Sequence, residues 1–159
     1  MSETRSNGCG ASALTKTGVG TEVFSGFNAS TYAGNTTLST GTLVVTGTQN
    51  LGTGTVAVNG TSILQLGDGT TNGSFASDVT DNGTLAFKID ATPLTYANVA
   101  SGTGALHAIS GTTLLTDGNG YSGGPTIDSR ARRQLAQGTT TRPPPPDTPD
   151  RHSHPLQPP

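Results

Sequence analysis

One turn-bounded pattern occurs twice in this chain, far apart in the sequence. In both places a Gly-Thr pair, apolar residues and a turn rich in Gly and Asn lead to a Tyr-containing segment that ends in an apolar residue. Residues 20–28 correspond to 111–119 with an offset of 91, and residues 32–38 correspond to 121–127 with an offset of 89. The copies therefore differ by a two-residue indel. Repetition of short strands between turns predicts a fold that grows by stacking similar units along one axis.

Short apolar clusters, separated by Gly, Asn, Asp or Thr, run from residue 13 to residue 128. Alternation at period two is visible at Leu64 and Leu66 and at Leu85 and Phe87, so one face of each strand should point inward. No segment here shows a sustained helical period. The predicted strands are residues 22–25, 36–39, 42–46, 55–58, 62–66, 76–80, 84–88, 105–109, 112–116 and 125–128.

Composition helps to decide between the two β architectures that such strands can build. Of 159 residues 23 are Gly, hydrophobic residues make up 30% and aromatic residues 4%, and Trp is absent. An antiparallel sandwich favours longer strands and a richer core. Short strands with Gly and Asn at corners favour an all-β, right-handed parallel β-helix, a solenoid. With repeat units of about 20–25 residues, the region would hold about five rungs.

The chain divides into three segments by composition. Residues 1–12 are polar and predicted to be disordered, residues 13–128 form the predicted solenoid, and residues 129–159 form an Arg/Pro-rich tail. Eight of the ten prolines lie in this tail, and Pro cannot donate a ladder hydrogen bond, so the tail is predicted to be disordered and to have no place in a rung. Residues 1–129 carry a net charge of −5 and residues 130–159 carry +3, and a mildly acidic body argues against nucleic acid as a partner.

Several features predict a fragment of a longer, exported solenoid. Cys9 is the sole cysteine, which excludes an intrachain disulfide. No apolar run approaches the length of a membrane span, so this segment is not expected to insert into a membrane. The N-terminus lacks the apolar stretch of a signal peptide, and neither end of the predicted solenoid shows a cap for its open strand edges.

The repeated pattern resembles the passenger-associated strand repeat of bacterial autotransporters, the β-helical passengers of type V secretion. Residues 15–21 (TKTGVGT) begin the first copy, residues 32–38 continue it, and residues 41–45 supply a closing Gly-Thr-Leu. Residues 73–75, 81–87 and 94–99 are similar to the linking rungs of that family. The resemblance covers residues 13–128. It departs at Glu22, where the family is apolar, at Pro125, where it has Thr, and at residues 129–133, where a Gly-Thr-Leu segment should follow.

The last departure leads to the hypothesis of a reading-frame break near Asp128. A family-like rung, and later a barrel, encoded in another reading frame would support this hypothesis. An intact reading frame, with no family-like peptide encoded in the other frames, would contradict it.

The resemblance implies a non-enzymatic structural segment of a passenger at the bacterial cell surface, associated with the outer membrane. It would support passenger folding and translocation, and adhesion or self-association, as in a virulence adhesin. The implied partners are the passenger's own C-terminal β-barrel translocator, absent from this sequence, and a host surface or a second copy. No cofactor and no metal are implied. The residues expected to form the structural repeat motif are Gly20, Thr21, Tyr32, Gly34, Thr37, Gly41, Leu43, Gly83, Leu85, Gly102, Gly104, Gly111, Thr112, Tyr121, Gly123 and Gly124.

Two other classes of function stay open. A glycan- or protein-binding solenoid module acting as an adhesin would present a contiguous outward row of Thr, Asn and Tyr. A polysaccharide-degrading β-helix enzyme would need clustered carboxylates and, for a lyase, a basic residue that abstracts a proton. Residues 1–129 contain only Arg5, Lys16 and Lys88 as Lys or Arg, which argues against the enzyme.

Individual side chains that could carry chemistry have a structural interpretation that we favour. His107 is predicted to face outward without a partner. The segments 68–69, 81–83 and 117–120 look like calcium loops, but Asp-Gly and Asn-Gly are also the commonest turn formers. Tyr32, Tyr96 and Tyr121 are predicted to stack between rungs rather than to form a sugar platform.

The same holds for three further motifs. Asn-x-Ser/Thr triplets are expected from turn chemistry, and they stand at Asn28, Asn35, Asn59, Asn72 and Asn82. The Arg residues 130, 132 and 133, the Pro run 143–146 and the two His residues 152 and 154 are assigned to a solvated tail rather than to a binding site.

Overall fold

The computed structural model describes residues 13–25, 33–48, 51, 54–116 and 118–135. These residues form β-strands and no helix, and every strand pair is parallel. The strands stack into a β-solenoid of about five turns, which confirms the predicted all-β parallel β-helix. In chain order they are β1 (Leu14–Lys16), β2 (Thr21–Phe24), β3 (Thr36–Leu38), β4 (Thr42–Val45), β5 (Gly47–Thr48), β6 (Val56–Val58), β7 (Ile63–Leu66), β8 (Gly73–Ser74), β9 (Val79–Asp81), β10 (Thr84–Lys88), β11 (Leu94–Tyr96), β12 (Ala100–Leu115), β13 (Gly120–Ile127) and β14 (Ala131–Leu135).

Each turn of the solenoid passes through three sheets. The first sheet stacks β1, β3, β6 and β9, then the start of β12 and the start of β13. The second stacks β2, β4, β7 and β10, then the middle of β12 and the end of β13. The third contains β5 on β8, and β11 on the end of β12 on β14. We number the resulting layers 1 to 6 in chain order, from the layer of β1 and β2 to that of β13 and β14.

The layers repeat with a period of 21 residues in the second sheet. The register there pairs Thr21 with Thr42, Thr42 with Ile63, Ile63 with Thr84 and Thr84 with Ala105, each step being 21 residues. This period agrees with the predicted rung length. The two sequence copies recognised above are not structurally equivalent, because residues 36–38 lie in the first sheet whereas residues 125–127 lie in the second. The offset-based alignment of the copies was therefore wrong.

Apolar columns run along the inside of the stack. The clearest consists of four fully buried leucines in register, Leu43, Leu64, Leu85 and Leu106. A second inward column in the same sheet is formed by Val45, Leu66, Phe87 and Ala108. The period-two alternation noted in the sequence thus sorts side chains into interior and exterior. Burial of such side chains is the main favourable term for folding, at roughly 25 cal/mol per Å² of apolar surface.

A corner column of small residues stands just before the second sheet. It consists of Gly20, Gly41, Ser62, Gly83 and Gly104 in register, one residue per layer. In layer 6, where the register shifts, Gly123 pairs with Ala105 and lies against the backbone of Gly104, and we include it in the column. A methyl group added at Gly83 would lie 2.4 Å from the carbonyl oxygen of Ser62, and one added at Gly123 would lie 2.4 Å from that of Gly104. The backbones of successive layers therefore approach too closely at this corner for most side chains. Ser62 is accommodated with its hydroxyl donating to the Leu38 carbonyl of the preceding layer at 3.0 Å.

Most strands of the third sheet were not predicted from the sequence. Strands β5 and β8 have only two residues each, and neither β11 nor β14 was predicted. The predicted boundary at residue 128 was wrong, because β14 pairs with β12 in register from Gly111↔Ala131 to Leu115↔Leu135. Residues 131–135 therefore belong to the solenoid, with Ala131 buried like an ordinary rung residue. The predictions for residues 1–12 and 136–159, including Cys9, the Pro run and the two His residues of the tail, lie outside the described residues.

No residue of the described ranges is helical, so none of them contributes an apolar helix long enough to cross a membrane.

We expect Leu64→Ala to lower the free energy of unfolding by about 2–5 kcal/mol, because it opens a cavity in the middle of the leucine column. Thr80→Ala, on the outer surface of the first sheet, should change it by no more than about 0.5 kcal/mol. Urea unfolding followed by circular dichroism measures both. Equal effects of the two substitutions would contradict the assignment of interior and exterior faces.

The corner column gives a second expectation, with two neighbouring glycines as a matched pair. Gly123→Ala should destabilise by about 1–3 kcal/mol, because its methyl group meets the backbone of the layer below. Gly124→Ala should be nearly neutral, since nothing lies within 4 Å of the added carbon. Thermal unfolding of the two variants compares them, and a more damaging Gly124→Ala would refute the close stacking at Gly123.

Candidate functional site

Charged side chains occupy inward positions in the first and the last of the described layers. In layer 1, Glu22 is paired with Leu43 at the end of the leucine column, and Lys16 is paired with the buried Leu38. The Lys16 ammonium bends to the corner and donates to the Gly18 carbonyl at 3.0 Å. In layer 6, Arg133 pairs with the buried Thr113. These side chains end the inward columns of the described layers with groups that tolerate water, whereas the prediction about the open strand edges stays a prediction.

The cap of layer 6 is a hydrogen bond across the interior. The Arg133 guanidinium, on the third sheet, donates to the hydroxyl of Tyr121, which lies on the first sheet and packs against the core. Arg133 had been assigned to a solvated tail and is instead half-buried. The packing role predicted for Tyr121 is confirmed, and Tyr96 is likewise buried between the rings of Phe75 and Phe87, with ring centroids at 6.2 and 5.4 Å. Tyr32 lies outside the described residues.

His107 faces outward on the second sheet, as predicted, but it has a partner. Its Nε2 lies 3.1 Å from Oδ1 of Asp128, with the two side chains 35% and 45% exposed. Asp128 follows 21 residues later in the chain, which is one turn away, so the stacking period alone brings the pair together. A general base also needs a nucleophile or a substrate within hydrogen-bond reach. The pair as described ties layer 6 to layer 5.

The segments that look like calcium loops are turns wherever they are described. Oδ1 of Asp68 accepts hydrogen bonds from the Thr70 amide, the Thr70 hydroxyl and the Thr71 amide at 2.7–2.8 Å. These bonds, the Thr70 hydroxyl above all, lower the pKa of Asp68 to about 2. Oδ1 of Asp81 accepts from the Gly83 amide at 2.9 Å. Among the described residues no three His, Cys, Asp or Glu side chains converge in a way that would hold a metal ion. Asp117 lies outside those residues.

Asp81 is a carboxylate inside the solenoid. Only 1% of its surface is exposed, and it stands in an inward column in register with Val58 of the preceding layer. A methyl group at Gly104 would lie within 2.6 Å of both its carboxylate oxygens, so Gly104 makes room for the carboxylate in the next layer. Burial raises the pKa of Asp81, although hydrogen bonds from the Gly83 and Leu85 amides act in the opposite direction.

Asparagine side chains bridge successive layers at the corners, a role that the sequence analysis did not assign. The Asn35 carbonyl oxygen accepts from the Thr55 amide at 3.1 Å, and that of Asn82 accepts from the Thr103 amide at 3.1 Å. Asn98 donates to the Phe75 carbonyl at 2.7 Å. Such bridges provide hydrogen-bond partners for backbone amides and carbonyls at the corners, where the chain leaves the sheets and loses its ladder partners. Their sequence signal is an Asn or Asp in each turn, about one rung apart.

A crevice of about 100 Å³ opens in the third sheet, where β8 and β11 are not paired. Its lining includes Leu66, Ser74, Phe75, Leu94, Tyr96 and Asn98. The Asn98 bridge and a second bridge from Asn72 to the Thr92 carbonyl, at 2.9 Å, replace the missing backbone pairs.

The spacing Gly-x-Ser-x-Gly occurs at residues 120–124, around Ser122. A nucleophile elbow requires a strand-to-helix turn that exposes the serine at its tip. Ser122 instead lies inside β13 and is followed by further strand residues. This context does not provide the geometry of an elbow.

The outer surface of the first sheet carries a row of small side chains in register. Thr15 pairs with Thr37, Thr37 with Ala57, Ala57 with Thr80 and Thr80 with Ser101. Four of these five side chains bear a hydroxyl group. We call these five residues the hydroxyl row. With neighbouring strands about 4.8 Å apart, the row presents its side chains at a regular spacing.

The residues of the predicted repeat motif fall mainly at corners and in columns. Gly20, Gly41, Gly83, Gly104 and Gly123 belong to the corner column, and Leu43 and Leu85 to the leucine column. Gly102 and Gly111, with φ of 116° and 72°, let β12 turn from one sheet into the next. Thr37 is in the hydroxyl row, Thr21 and Thr112 lie on strands, Gly34 precedes β3, and Gly124 lies in β13. They form a scaffold that extends along the whole stack and do not converge on one point.

No protein-family model, no curated protein and no solved structure matches this chain.

The two turn aspartates should influence stability with opposite dependence on pH. The pKa of Asp81 is raised above 3.8, so its contribution is fully present below pH 3.8 and is lost as the pH rises through the raised value. Asp81→Asn has no charge to bury, so it should not show this loss. Its free energy of unfolding should therefore rise relative to that of the wild type as the pH rises.

Asp68→Asn is the matched control for that experiment. Because the pKa of Asp68 falls from 3.8 to about 2, its contribution is present above pH 3.8 and is lost as the pH falls towards about 2. Urea unfolding of the three proteins from about pH 2 up to neutral pH covers both windows, the one below pH 3.8 for Asp68 and the one above it for Asp81, and tests both signs. Parallel pH profiles for wild type and Asp81→Asn would contradict the burial of the Asp81 carboxylate.

Proposed function

We propose that this chain is a non-enzymatic structural segment of a surface-displayed passenger, of the kind that autotransporters export by type V secretion. In this proposal the segment forms a stalk at the outer membrane of a bacterium. It is carried there by a signal peptide and a C-terminal β-barrel translocator of the complete protein. Its role is to support passenger folding during export and to present adhesive or self-associating surfaces.

The observation that carries the proposal is the regular stacking itself. The 21-residue register continues through the second sheet from β2 to β12, and each layer is bonded to its immediate neighbours. Such a quasi-one-dimensional structure can fold by adding one layer to the previous one, because no layer needs contacts with distant parts of the chain. A chain that emerges gradually from a membrane can therefore fold as it emerges.

The chemistry of the polar side chains supports a structural role as well. Asp68 and Asp81 hold turns, His107 and Asp128 join two layers, and Lys16 caps a corner. Each of these titratable groups is thereby engaged in holding the stack. The resemblance to passenger repeats adds the cellular setting, and it is the resemblance alone that suggests secretion and the bacterial surface.

Removal of one complete turn tests the stalk proposal. Deleting residues 63–83 joins Ser62 to Thr84 and sets Leu85 next to Leu43 in the leucine column, so the columns remain in register. With the chain fused ahead of a barrel translocator, we expect surface display, measured by antibody labelling of intact cells, to stay near the wild-type level.

The matched control deletes residues 63–73, about half a turn, which puts inward side chains out of register. This variant should lose display and become sensitive to protease. Loss of display or adhesion in the full-turn deletion, although the purified protein is still folded, would place the function in a local site and refute the stalk proposal.

A second candidate, a glycan- or protein-binding adhesin module, is favoured by the hydroxyl row. A row of Thr and Ser side chains can offer hydrogen bonds at regular intervals to a repetitive ligand. Tyr96 and Tyr121 are turned inward and do not contribute to such a surface. A polysaccharide-degrading enzyme is not proposed, because the described carboxylates hold turns and corners individually.

Lysine substitutions on two faces distinguish the adhesin module from a passive stalk. Thr37→Lys with Thr80→Lys should abolish binding on a glycan array if the hydroxyl row is the binding surface, since both side chains lie on it. Gln65→Lys, which faces outward on the second sheet, is the control and should leave binding unchanged. Equal binding by all variants, with circular dichroism showing a folded protein, would eliminate the hydroxyl row as the adhesive surface.

A further inference from the structure

Four Asn-Gly pairs lie in the described ranges, at Asn59, Asn72, Asn82 and Asn119. Asn followed by Gly can lose its amide spontaneously when the Gly backbone nitrogen attacks Cγ of the Asn side chain. Glycine permits this because it has no Cβ to obstruct the approach. The attack also requires that the side-chain amide be free to rotate and that the glycine nitrogen be accessible. The fold imposes these two conditions unequally on the four pairs.

Asn72 and Asn119 are held by hydrogen bonds. The Asn72 carbonyl oxygen accepts from the Asp90 amide at 2.9 Å, and its amide nitrogen donates to the Thr92 carbonyl at 2.9 Å. Both ends of this side chain are therefore fixed. The Asn119 carbonyl oxygen accepts from the Ala100 amide at 2.9 Å. Neither Cγ can turn towards the following glycine until these bonds between layers break.

Asn82 is protected at both reacting groups. Its carbonyl oxygen accepts from the amide and from the hydroxyl of Thr103, at 3.1 and 3.0 Å. The nitrogen that would attack, that of Gly83, donates its proton to Oδ1 of Asp81 at 2.9 Å. Gly83 also lies in the corner column, where the backbones of two layers are in close contact.

Asn59 is the exception. It is exposed, and its side-chain amide has no hydrogen bond to any residue of the described ranges. Gly60 occupies the following turn position with φ of 46°, and no atom lies within 4 Å of the place where a side chain would start. Only the Asn59 backbone is bound, through its amide to Leu38 and its carbonyl oxygen to Ser62. The side-chain amide of Asn59 and the backbone nitrogen of Gly60 thus both lack a hydrogen bond to the described residues.

We infer that Asn59–Gly60 is a site of spontaneous covalent modification in the folded protein. The Gly60 nitrogen gives up its proton and forms a bond with Cγ of Asn59, and the bond from Cγ to Nδ2 breaks with release of ammonia. The five-membered succinimide then adds one water at either carbonyl. The products are aspartate and isoaspartate, so one water is consumed and one ammonia is released in total.

The modification changes the turn between β6 and β7. Both products add one negative charge at the surface, and isoaspartate also lengthens the main chain by one methylene group. The Asn59 carbonyl oxygen accepts the hydrogen bond from the buried Ser62 amide at 2.8 Å, so a longer main chain there displaces the corner of layer 3. The fraction of chains modified at Asn59 therefore increases with the age of the protein, and each modification changes the local charge and register.

The experiment is incubation of the purified full chain at mildly alkaline pH, followed by digestion and mass spectrometry. Trypsin leaves residues 17–88 in one fragment, with Asn59, Asn72 and Asn82 together, so electron-transfer fragmentation must locate the change and identify isoaspartate. We expect Asn59 to react at least about tenfold faster than Asn72 or Asn82 in the folded protein, because those two must first open locally.

The same incubation in concentrated urea is the matched control. With the fold removed, the difference between Asn59 and the other two should fall to within about threefold. Asn59→Gln should leave only the slower reaction at Asn72 and Asn82 in this fragment of the folded protein, since a glutamine side chain closes the ring much more slowly. Modification of Asn72 or Asn82 at the rate of Asn59 in the folded protein would overturn the inference. So would a lack of reaction at Asn59 under conditions in which the unfolded chain reacts.

Discussion

The hydrogen-bond spacing between parallel strands, about 4.8 Å, is the constraint on which this structure depends. After each turn the chain must return to a point about 4.8 Å further along the axis. A turn that is longer or shorter than its neighbours must therefore place the difference in a corner, because the strands have to stay paired. The corner before the second sheet restricts such changes, because backbone lies close to backbone and small residues follow one another through the stack. The step in that sheet is 21 residues from β2 to β12, and it falls to 18 or 19 residues between β12 and β13, where the register shifts. The third sheet, where the step from Gly47 to Gly73 is 26 residues, accommodates the differences.

Sequence reasoning predicted the parts of this fold that have a local signal. Alternation at Leu64 and Leu66 or at Leu85 and Phe87 gave the interior of the second sheet, and Gly-Thr pairs marked its corner. The third sheet has no such signal, since Gly47–Thr48 and Gly73–Ser74 are too short to alternate. The paired copies in the sequence suggested an equivalence that the register contradicts. Similar strings of Gly, Thr and apolar residues can serve in different sheets, because every strand of a solenoid has the same local requirements.

The polar groups were harder to place, because their roles depend on which layers they join. An inward arginine in a middle rung would bury its charge among apolar side chains. Arg133 stands in the last described layer, and its head group reaches the Tyr121 hydroxyl instead of entering an apolar column. His107 had no partner nearby in the sequence, and one turn of the solenoid supplied Asp128. The asparagine bridges follow the same logic. In a stacked fold the neighbour in space is one period away in the chain, and the period becomes known only when the register is known.

Strand β12 runs without interruption from Ala100 to Leu115 and passes through all three sheets. It pairs with β9 and β13 in the first sheet, with β10 and β13 in the second, and with β11 and β14 in the third. A pulling force along the axis of the solenoid acts on the hydrogen bonds between adjacent layers and breaks them in sequence. Most layers can yield one short strand at a time, but the layer of β12 is joined to its neighbours around the whole circumference. Under tension the solenoid should therefore extend in steps of roughly 70 Å per released turn, at about 3.4 Å per residue, and the layer of β12 should be the segment that yields last.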